Sequence, residues 1–422
     1  MKASRRNFLK TTALAGAGGS FFACNDTRAD ELPLQERYEV LDRILAQPVF
    51  RKSLFPDPVM IESVELLHLK GNYICRVRST GGATGHSVSN NAQMRVLFPI
   101  SVKLVNPFFV GKDARDLEKL LEEVYVHGSN YKLQNLALWI PVATIEMAIL
   151  DMLGRMAGRS MGELIGDTAN KKIHVYQANN YRGKSVEESL DGIRQTLTET
   201  GAKAIKFKIG GRMSAPESPP GRTEKMIPLM RKTFGEELEI FADSNGSYDV
   251  PEAIRIGKLL ENNGINLYEE PVPFDWYEET RAVAEALAIP VAGGEQEPSM
   301  RNFRWLVANK GLDILQQDIF YFGGFIRGMK VALMGNAFGM PCMPHISGSG
   351  LGYLYMAHFV SVIPNAGKFH EFKGIAKDLP FECPTSSLQS EDGIITVPTG
   401  PGSGIELDPG FVDNHEAVEL PG

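Results

Sequence analysis

Three short stretches decide the fold: LEIFADSN at residues 238–245, INLYEEP at 265–271 and IPVAGGE at 289–295. Each is a largely apolar run that ends in a carboxylate, first Asp243, then Glu269, then Glu295. Runs that are apolar on both faces are typical of parallel strands covered by helices. The carboxylates are 26 residues apart, which is the length of one strand plus one helix. The repeat therefore predicts consecutive β/α units whose strands all end on the same side.

The pattern continues in both directions from these stretches. The chain contains eight such apolar runs, spaced roughly 25 to 35 residues apart, and this number and spacing suit the units of a (β/α)₈ barrel. The runs begin near Lys172, Ala204, Leu238, Ile265, Ile289, Leu312, Met340 and Lys368. We therefore predict an α/β fold with a TIM-like barrel over residues 168–380 as the catalytic domain.

Ionisable residues stand where the predicted strands end. In addition to the three carboxylates, Lys208 ends the second run, Asp318 the sixth, His345 the seventh and Glu371 the eighth. The carboxyl ends of barrel strands surround one open mouth, where catalytic groups gather. A single carboxylate after a strand is usually a solvated helix cap, but that explanation fits three in register poorly. The sequence thus predicts an active site at this mouth.

The three carboxylates indicate a metal. Asp243, Glu269 and Glu295 offer only oxygen ligands, with no cysteine or clustered histidine among them, which favours a hard cation over zinc. Without a cation, converging carboxylates would repel one another. We predict one divalent ion per subunit, Mg²⁺, bound by these three residues.

Two candidate bases accompany the predicted metal. Lys206 and Lys208 alternate along the second run, so both side chains should point into the barrel. Beside a cation and a second ammonium, Lys208 is expected to act as a base near neutral pH. Without carboxylates on the neighbouring strands, two solvated lysines would be the simpler interpretation. Asp318 should hold the imidazole of His345 and raise its basicity, which makes His345 a second base or an acid.

Other regions surround the predicted barrel. Residues 58–167 combine a hairpin signal at Gly71-Asn72 with helical apolar spacing, and predict an α+β capping domain. We expect residues 31–57 to be a linker or N-terminal extension. The Gly/Pro-rich residues 381–422 should return as a tail that completes the cap.

The first thirty residues differ from the rest. Arg5 and Arg6 precede a mildly apolar stretch from Thr11 to Ala23, the order of a twin-arginine export signal. The stretch is shorter than the ~20 residues of a spanning helix, so we expect a periplasmic protein without a stable membrane span. A disordered basic tail and a lipoprotein anchored through Cys24 are the alternatives. The net charge of −7 argues against nucleic acid as a partner.

The ordered motifs resemble the enolase superfamily, and within it the mandelate racemase subgroup. This resemblance implies that Mg²⁺ and Lys206 hold a substrate carboxylate, while Lys208 and the Asp318–His345 pair face the α-carbon from opposite sides. It also implies that Glu371 donates a hydrogen bond to the enediolate or helps to hold it. We further expect a homo-oligomer, a dimer or an octamer. The strings that carry the resemblance are Lys206-x-Lys208, Asp243-Ser244-Asn245, Glu269-Glu270-Pro271, Gly294-Glu295, Gln317-Asp318 with Gly323-Gly324, Pro344-His345 and His370-Glu371-Phe372.

Polar loop residues suggest the class of substrate. His86, Asn179, Tyr181 and Asn245 are predicted to contact it, and such a lining fits a polyhydroxy acid better than an aryl acid. An ordinary solvated loop is the competing explanation for each. We expect a small-molecule carboxylate substrate that loses its α-proton through an enediolate, most simply a sugar acid dehydrated to a 2-keto-3-deoxy acid.

Two other functions stay open. Racemisation, epimerisation or cycloisomerisation of a hydroxy acid or lactone shares the same first step. A periplasmic sugar-acid binding protein on an inactive barrel belongs to a different class, and a binder has no use for two opposed bases.

Overall fold

The computed structural model describes residues 29–347, 350–375 and 379–420. Residues 1–28, with Cys24 and most of the predicted export signal, lie outside the described residues. The strands are β1 Ile61–Leu69, β2 Asn72–Ser79, β3 Thr84–Val88, β4 Lys172–Ala178, β5 Ala204–Lys208, β6 Glu239–Asp243, β7 Leu267–Glu269, β8 Val291–Gly293, β9 Ile314–Leu315, β10 His370–Phe372, β11 Phe381–Glu382, β12 Ile394–Thr396, β13 Glu406–Leu407 and β14 Glu416–Ala417. The α-helices are α1 Leu34–Leu45, α2 Asn91–Ile100, α3 Asn106–Phe109, α4 Leu117–Val126, α5 Leu136–Ala157, α6 Val186–Thr200, α7 Arg222–Phe234, α8 Val250–Asn262, α9 Tyr277–Ala286, α10 Met300–Ala308, α11 Phe325–Ala337, α12 Gly352–Val362 and α13 Pro409–Asp413.

A parallel sheet forms the barrel, with the strand order β10-β4-β5-β6-β7-β8-β9. The seventh run takes part through Cys342, which pairs in parallel with Leu315 of β9 and with Ala366. Four residues beyond Ala366, β10 begins and pairs with β4, which closes the ring. The predicted TIM-like barrel is therefore confirmed.

The cap is a four-stranded sheet backed by helices, in the order β14-β1-β2-β3. The predicted hairpin is β1 and β2, joined at Lys70 and Gly71, which both have positive φ. Helix α5 packs so closely on β3 that a Cβ on Gly85 would lie 2.2 Å from the carbonyl oxygen of Ala148. Because β14 comes from the C-terminal tail, the tail completes this sheet.

Helix α5 forms the core of the cap. Its 22 residues have the length and hydropathy of a membrane-crossing helix, but 89% of its most apolar window is buried inside the protein. Packing against the cap sheet and the barrel accounts for this apolar surface.

Of the two expectations for residues 31–57, a linker or an N-terminal extension, the linker needs correction, because α1 lies there and packs on α10 and α11 of the barrel. Asp42 forms an ion pair with Arg304 at 2.6 Å, and Tyr38 Oη accepts a hydrogen bond from Asn309. The helix is largely polar, and only Leu41 is fully buried. Its stability therefore comes from contacts distant in sequence, which the local pattern did not reveal.

Candidate active site

Inward-facing residues fill the barrel in layers, because side chains two residues apart on a strand share a face. The eight strand segments each give one residue to an apolar layer. These are Tyr176, Ala204, Phe241, Leu267, Ala292, Ile314, Met343 and Phe369. Two residues further along each segment stand Ala178, Lys206, Asp243, Glu269, Gly294, Gln316, His345 and Glu371. An apolar floor therefore lies below a layer that carries most of the predicted site.

The three predicted metal ligands converge above this floor. Asp243, Glu269 and Glu295 are buried, and one oxygen from each lies within 4.8 Å of the others. Burial raises the pKa of Glu269 to about 7 against the opposing effect of Lys206, and the Asp243 and Glu295 carboxylates add to the rise. The donors of this group are all carboxylate oxygens, which suit a hard divalent cation such as Mg²⁺. These observations fit a metal site, although the identity of the ion stays a prediction.

Lys206 is enclosed by carboxylates. Its Nζ lies 2.6 Å from Glu269 Oε1, 3.7 Å from Asp243 Oδ2 and 3.6 Å from Glu371 Oε2. Burial disfavours the ammonium ion, but these carboxylates outweigh burial and hold the pKa of Lys206 well above its usual value. Lys206 is thus a fixed positive charge beside the metal ligands.

Lys208 reaches further towards the mouth than Lys206. It pairs with Asp243, and its Nζ donates to Asn245 Oδ1 at 3.2 Å. Burial works against ionisation of Asp243, but the two lysines outweigh it and lower the pKa of this carboxyl. The structure therefore links a candidate base directly to a candidate metal ligand.

His345 and Asp318 form the predicted pair. The imidazole Nδ1 lies 2.7 Å from Asp318 Oδ2, so Nε2 faces Glu295 and Glu371, at 3.4 Å and 3.7 Å. Burial disfavours the imidazolium, but Glu295, Glu371 and Asp318 together raise the pKa of His345 to about 9.

The eighth strand adds Glu371, which is 1% exposed. Burial opposes its ionisation, but Lys206, Lys373 and His345 outweigh burial and hold the pKa of Glu371 well below its usual range. Lys373 Nζ lies 2.6 Å from Glu371 Oε1. Glu371 is therefore a carboxylate acceptor here, and its expected role, to donate a hydrogen bond to the enediolate or to help hold it, stays a prediction.

A cavity of about 540 Å³ opens above these residues. Its wall includes the two candidate bases, Lys208 and His345, and the predicted substrate contacts Asn179 and Asn245. Asn179 also donates to the Lys206 carbonyl oxygen, which ties the loop after β4 to β5. The catalytic and binding roles of all these residues stay predictions, but the structure brings them together.

Two predicted substrate contacts point elsewhere. His86 of β3 lines a separate cavity with Asp151 and Arg155 of α5, and its backbone N–H donates to Asp151. The Tyr181 ring packs on α6, where a Cβ added to Gly192 would lie 2.6 Å from it. Both expectations followed proximity in sequence, which does not determine the direction of a loop or edge-strand side chain.

Several residues at the site escaped prediction. Gln316 donates to Glu269 Oε2 at 2.7 Å, and its place two residues beyond an inward apolar position could have revealed it. Lys373 lies two residues beyond Glu371, so the same spacing could have revealed it. Arg212 and Tyr321 line the cavity from loops, where the sequence has no periodicity to indicate direction.

The fold and the site together define a capped (β/α)₈-barrel enzyme. The chain belongs to the Enolase C-terminal domain-like family, whose model matches residues 188–411, more than half of its length. The resemblance to the enolase superfamily is therefore confirmed.

Curated relatives and solved structures agree with this assignment. The chain is 25% identical over 316 residues to an arabinonate dehydratase of Saccharolobus solfataricus, covering 74% of this chain and 82% of the relative. It is 26% identical over 317 residues to a D-galactarolactone cycloisomerase of Agrobacterium fabrum, covering 73% and 82%. The crystal structure of a proposed racemase from Roseobacter denitrificans is 28% identical, with a TM-score of 0.78 over 86% of this chain and all of that one. Dehydratases and isomerases thus both occur among its relatives.

Proposed function

We propose that this enzyme dehydrates a sugar acid to a 2-keto-3-deoxy acid in a Mg²⁺-dependent reaction. One observation carries the proposal: Lys208 and His345, from strand segments on different sides of the barrel, line the same cavity next to Glu295. Two proton-transfer groups on one cavity suit a reaction that removes a proton and then supplies one.

The metal ligands define where the substrate carboxylate binds. Mg²⁺ held by Asp243, Glu269 and Glu295 would supply positive charge that lowers the barrier to α-proton loss. Lys206 adds a fixed ammonium charge to the same region. Preorganised charge of this kind stabilises a developing enediolate, typically by several kcal/mol.

The remaining residues move the protons. Lys208, as the free amine, accepts the α-proton when the C–H bond breaks. His345, as the imidazolium, gives a proton from Nε2 to the β-hydroxyl, so that the C–O bond breaks and water leaves. The enol product then tautomerises to the 2-keto-3-deoxy acid. Asp318 holds the imidazole for this step through Nδ1.

Isomerisation is the second candidate. The cycloisomerase relative is as similar as the dehydratase, and the same two groups could remove and return a proton on opposite faces. The choice depends on whether the bound substrate places a β-hydroxyl near His345.

The experiment is to incubate the Mg²⁺-loaded enzyme with a library of aldonic and aldaric acids and their lactones. Formation of 2-keto acids, detected with semicarbazide, would support dehydration. Epimers or ring-opened products without a keto acid would show isomerisation instead. No product from any acid, with protein shown to bind Mg²⁺, would contradict both.

We also propose a periplasmic location and a homo-oligomer. The twin-arginine pattern at Arg5 and Arg6 supports the location. Fusion of residues 1–30 to a reporter that is active only after twin-arginine export tests the location, and light scattering on the purified enzyme tests assembly as a dimer or an octamer. Cytoplasmic retention of the reporter or a monomeric mass would contradict the respective proposal.

A further inference from the structure

Three basic side chains converge on one neutral oxygen at the cavity wall. Asn245 Oδ1 accepts hydrogen bonds from Lys208 Nζ at 3.2 Å, Arg182 Nη1 at 2.9 Å and Arg212 Nη2 at 3.4 Å. An amide oxygen carries only a partial charge, so it offsets little of the repulsion among them. Of the carboxylates beside this oxygen, Asp243 pairs with Lys208 and Glu270 accepts a hydrogen bond from Asn245 Nδ2, so neither is bonded to Arg212.

The three basic side chains are held by different partners. Lys208 has Asp243 as its ionic partner. Arg182 is partly buried and donates its other hydrogen bonds to the carbonyl oxygens of Ile209, Gly210 and Asp243. It is thus a fixed part of the wall.

The guanidinium of Arg212 has N–H donors that are not engaged by a carboxylate. Its bond to Asn245 is long, and within the described parts of the chain no carboxylate forms an ion pair with its guanidinium. The residue is exposed and lines the cavity from the loop after β5. Lys373, another cation on the wall, is already paired with Glu371. Arg212 is therefore the cation in the cavity that is available to an incoming anion.

A guanidinium with free donors suits a carboxylate, which can accept two parallel hydrogen bonds from it. In the proposed function, the carboxylate next to the carbon that loses its proton binds at Lys206 and the metal ligands. We propose that Arg212 binds a second carboxylate of the substrate, so that the enzyme prefers sugar diacids to sugar monoacids. This inference rests on the proposed function and specifies its substrate class.

The test compares pairs of six-carbon acids that differ only at C6, an aldarate with a carboxylate and the matching aldonate with a hydroxymethyl group. Loss of a charge-assisted hydrogen bond changes binding by about 10- to 100-fold. We expect kcat/KM to favour the aldarate by at least about tenfold. Arg212→Gln should cut this ratio by a similar factor, and Arg212→Lys should cut it less. Arg255→Gln, which removes an arginine paired with Glu224 and Glu252 on the barrel exterior, should leave the ratio unchanged.

Calorimetric titration of the Mg²⁺-loaded protein with the same two acids separates this inference from the dehydration itself. Tighter binding of the aldarate than of the aldonate, with the difference reduced in Arg212→Gln, supports the inference even if no keto acid forms. The absence of keto acid would count against the proposed reaction alone. Equal affinities for the two acids, or a preference that survives in Arg212→Gln, would overturn it.

Discussion

The imidazole Nδ1 of His345 lies 2.7 Å from Asp318 Oδ2, while Asp318 Oδ1 accepts hydrogen bonds from the backbone N–H groups of Phe320 and Tyr321. One carboxylate oxygen thus fixes the loop and the other fixes the imidazole. This division leaves Nε2 as the nitrogen that faces the cavity.

The first prediction concerns Asp318→Asn. The amide oxygen can keep the two backbone hydrogen bonds, but the amide nitrogen would present a donor to the imidazole and favour the wrong tautomer. We expect kcat to fall by about 10²- to 10⁴-fold, with the melting temperature little changed. Asp191→Asn, at an exposed helix position paired with Arg194, is the control. A near-normal kcat for Asp318→Asn would contradict the role of the pair.

The second prediction concerns Mg²⁺. Because the ion binds only the folded site, 100 times its Kd should stabilise the protein by about 2.7 kcal/mol, and chelation should remove this effect. Glu295→Gln should abolish the Mg²⁺-dependent rise in melting temperature. Glu297→Gln should retain it, since Glu297 bonds to Tyr277 and Asn302 instead. Equal Mg²⁺ responses in the two variants would refute the assignment.

The contrast between the strands and the loops explains what the sequence could predict. Barrel strands impose a period of two and a nearly constant unit length, so Asp243, Glu269 and His345 could be placed at one mouth without coordinates. The direction of His86 depends on which face of an edge strand meets α5. That of Tyr181 depends on a contact with Gly192. Neither the packing of the edge strand on α5 nor the contact of Tyr181 with Gly192 leaves a periodic signal in the sequence.

The third prediction concerns the joint between cap and barrel. Glu146 of α5 accepts hydrogen bonds from Phe325 and Ile326 at the start of α11. Gly324 is required here, because a Cβ would lie 1.8 Å from Glu146 Oε2. Burial raises the pKa of Glu146 from 4.5 to about 8, against the opposing effects of these N–H groups and Arg327.

The folded protein therefore holds a proton on Glu146 that the unfolded chain releases above pH 4.5. Stability from this group is present below that pH and is lost as pH rises through about 8. Glu146→Gln removes the titrating group, so we expect wild type to lose at least ~1 kcal/mol of stability relative to the variant between pH 5 and 9. Denaturant unfolding at both pH values measures this change. A difference independent of pH would contradict it.

The fourth prediction concerns Arg327, which is 6% exposed. Its guanidinium stacks 3.7 Å from the Trp139 ring centroid and donates to the carbonyl oxygens of Phe322 and Pro298. These carbonyls lie in the loops that follow Asp318 and Glu295. Arg327→Met should destabilise the protein by about 2–4 kcal/mol, and Arg327→Lys should destabilise it less.

The control for this prediction is Arg304→Met. Arg304 stacks on Tyr38 and pairs with Asp42 on the barrel exterior, and a partly exposed pair contributes about 1 kcal/mol or less. The melting temperatures of Arg327→Met, Arg327→Lys and Arg304→Met measure the order of destabilisation. An Arg327→Met variant as stable as Arg304→Met would show that the stacked guanidinium does not hold the joint.

The most direct test of the two-base site is proton NMR of the Mg²⁺-loaded enzyme with its best sugar acid in D₂O. Lys208→Ala and His345→Asn should each abolish turnover while keeping the fold and the Mg²⁺ response. We expect Lys208 to be the base, so His345→Asn should still exchange the substrate α-proton for deuterium, whereas Lys208→Ala and the double variant should not. Near-normal turnover in both single variants would contradict the assignment of Lys208 and His345 as the proton-transfer groups.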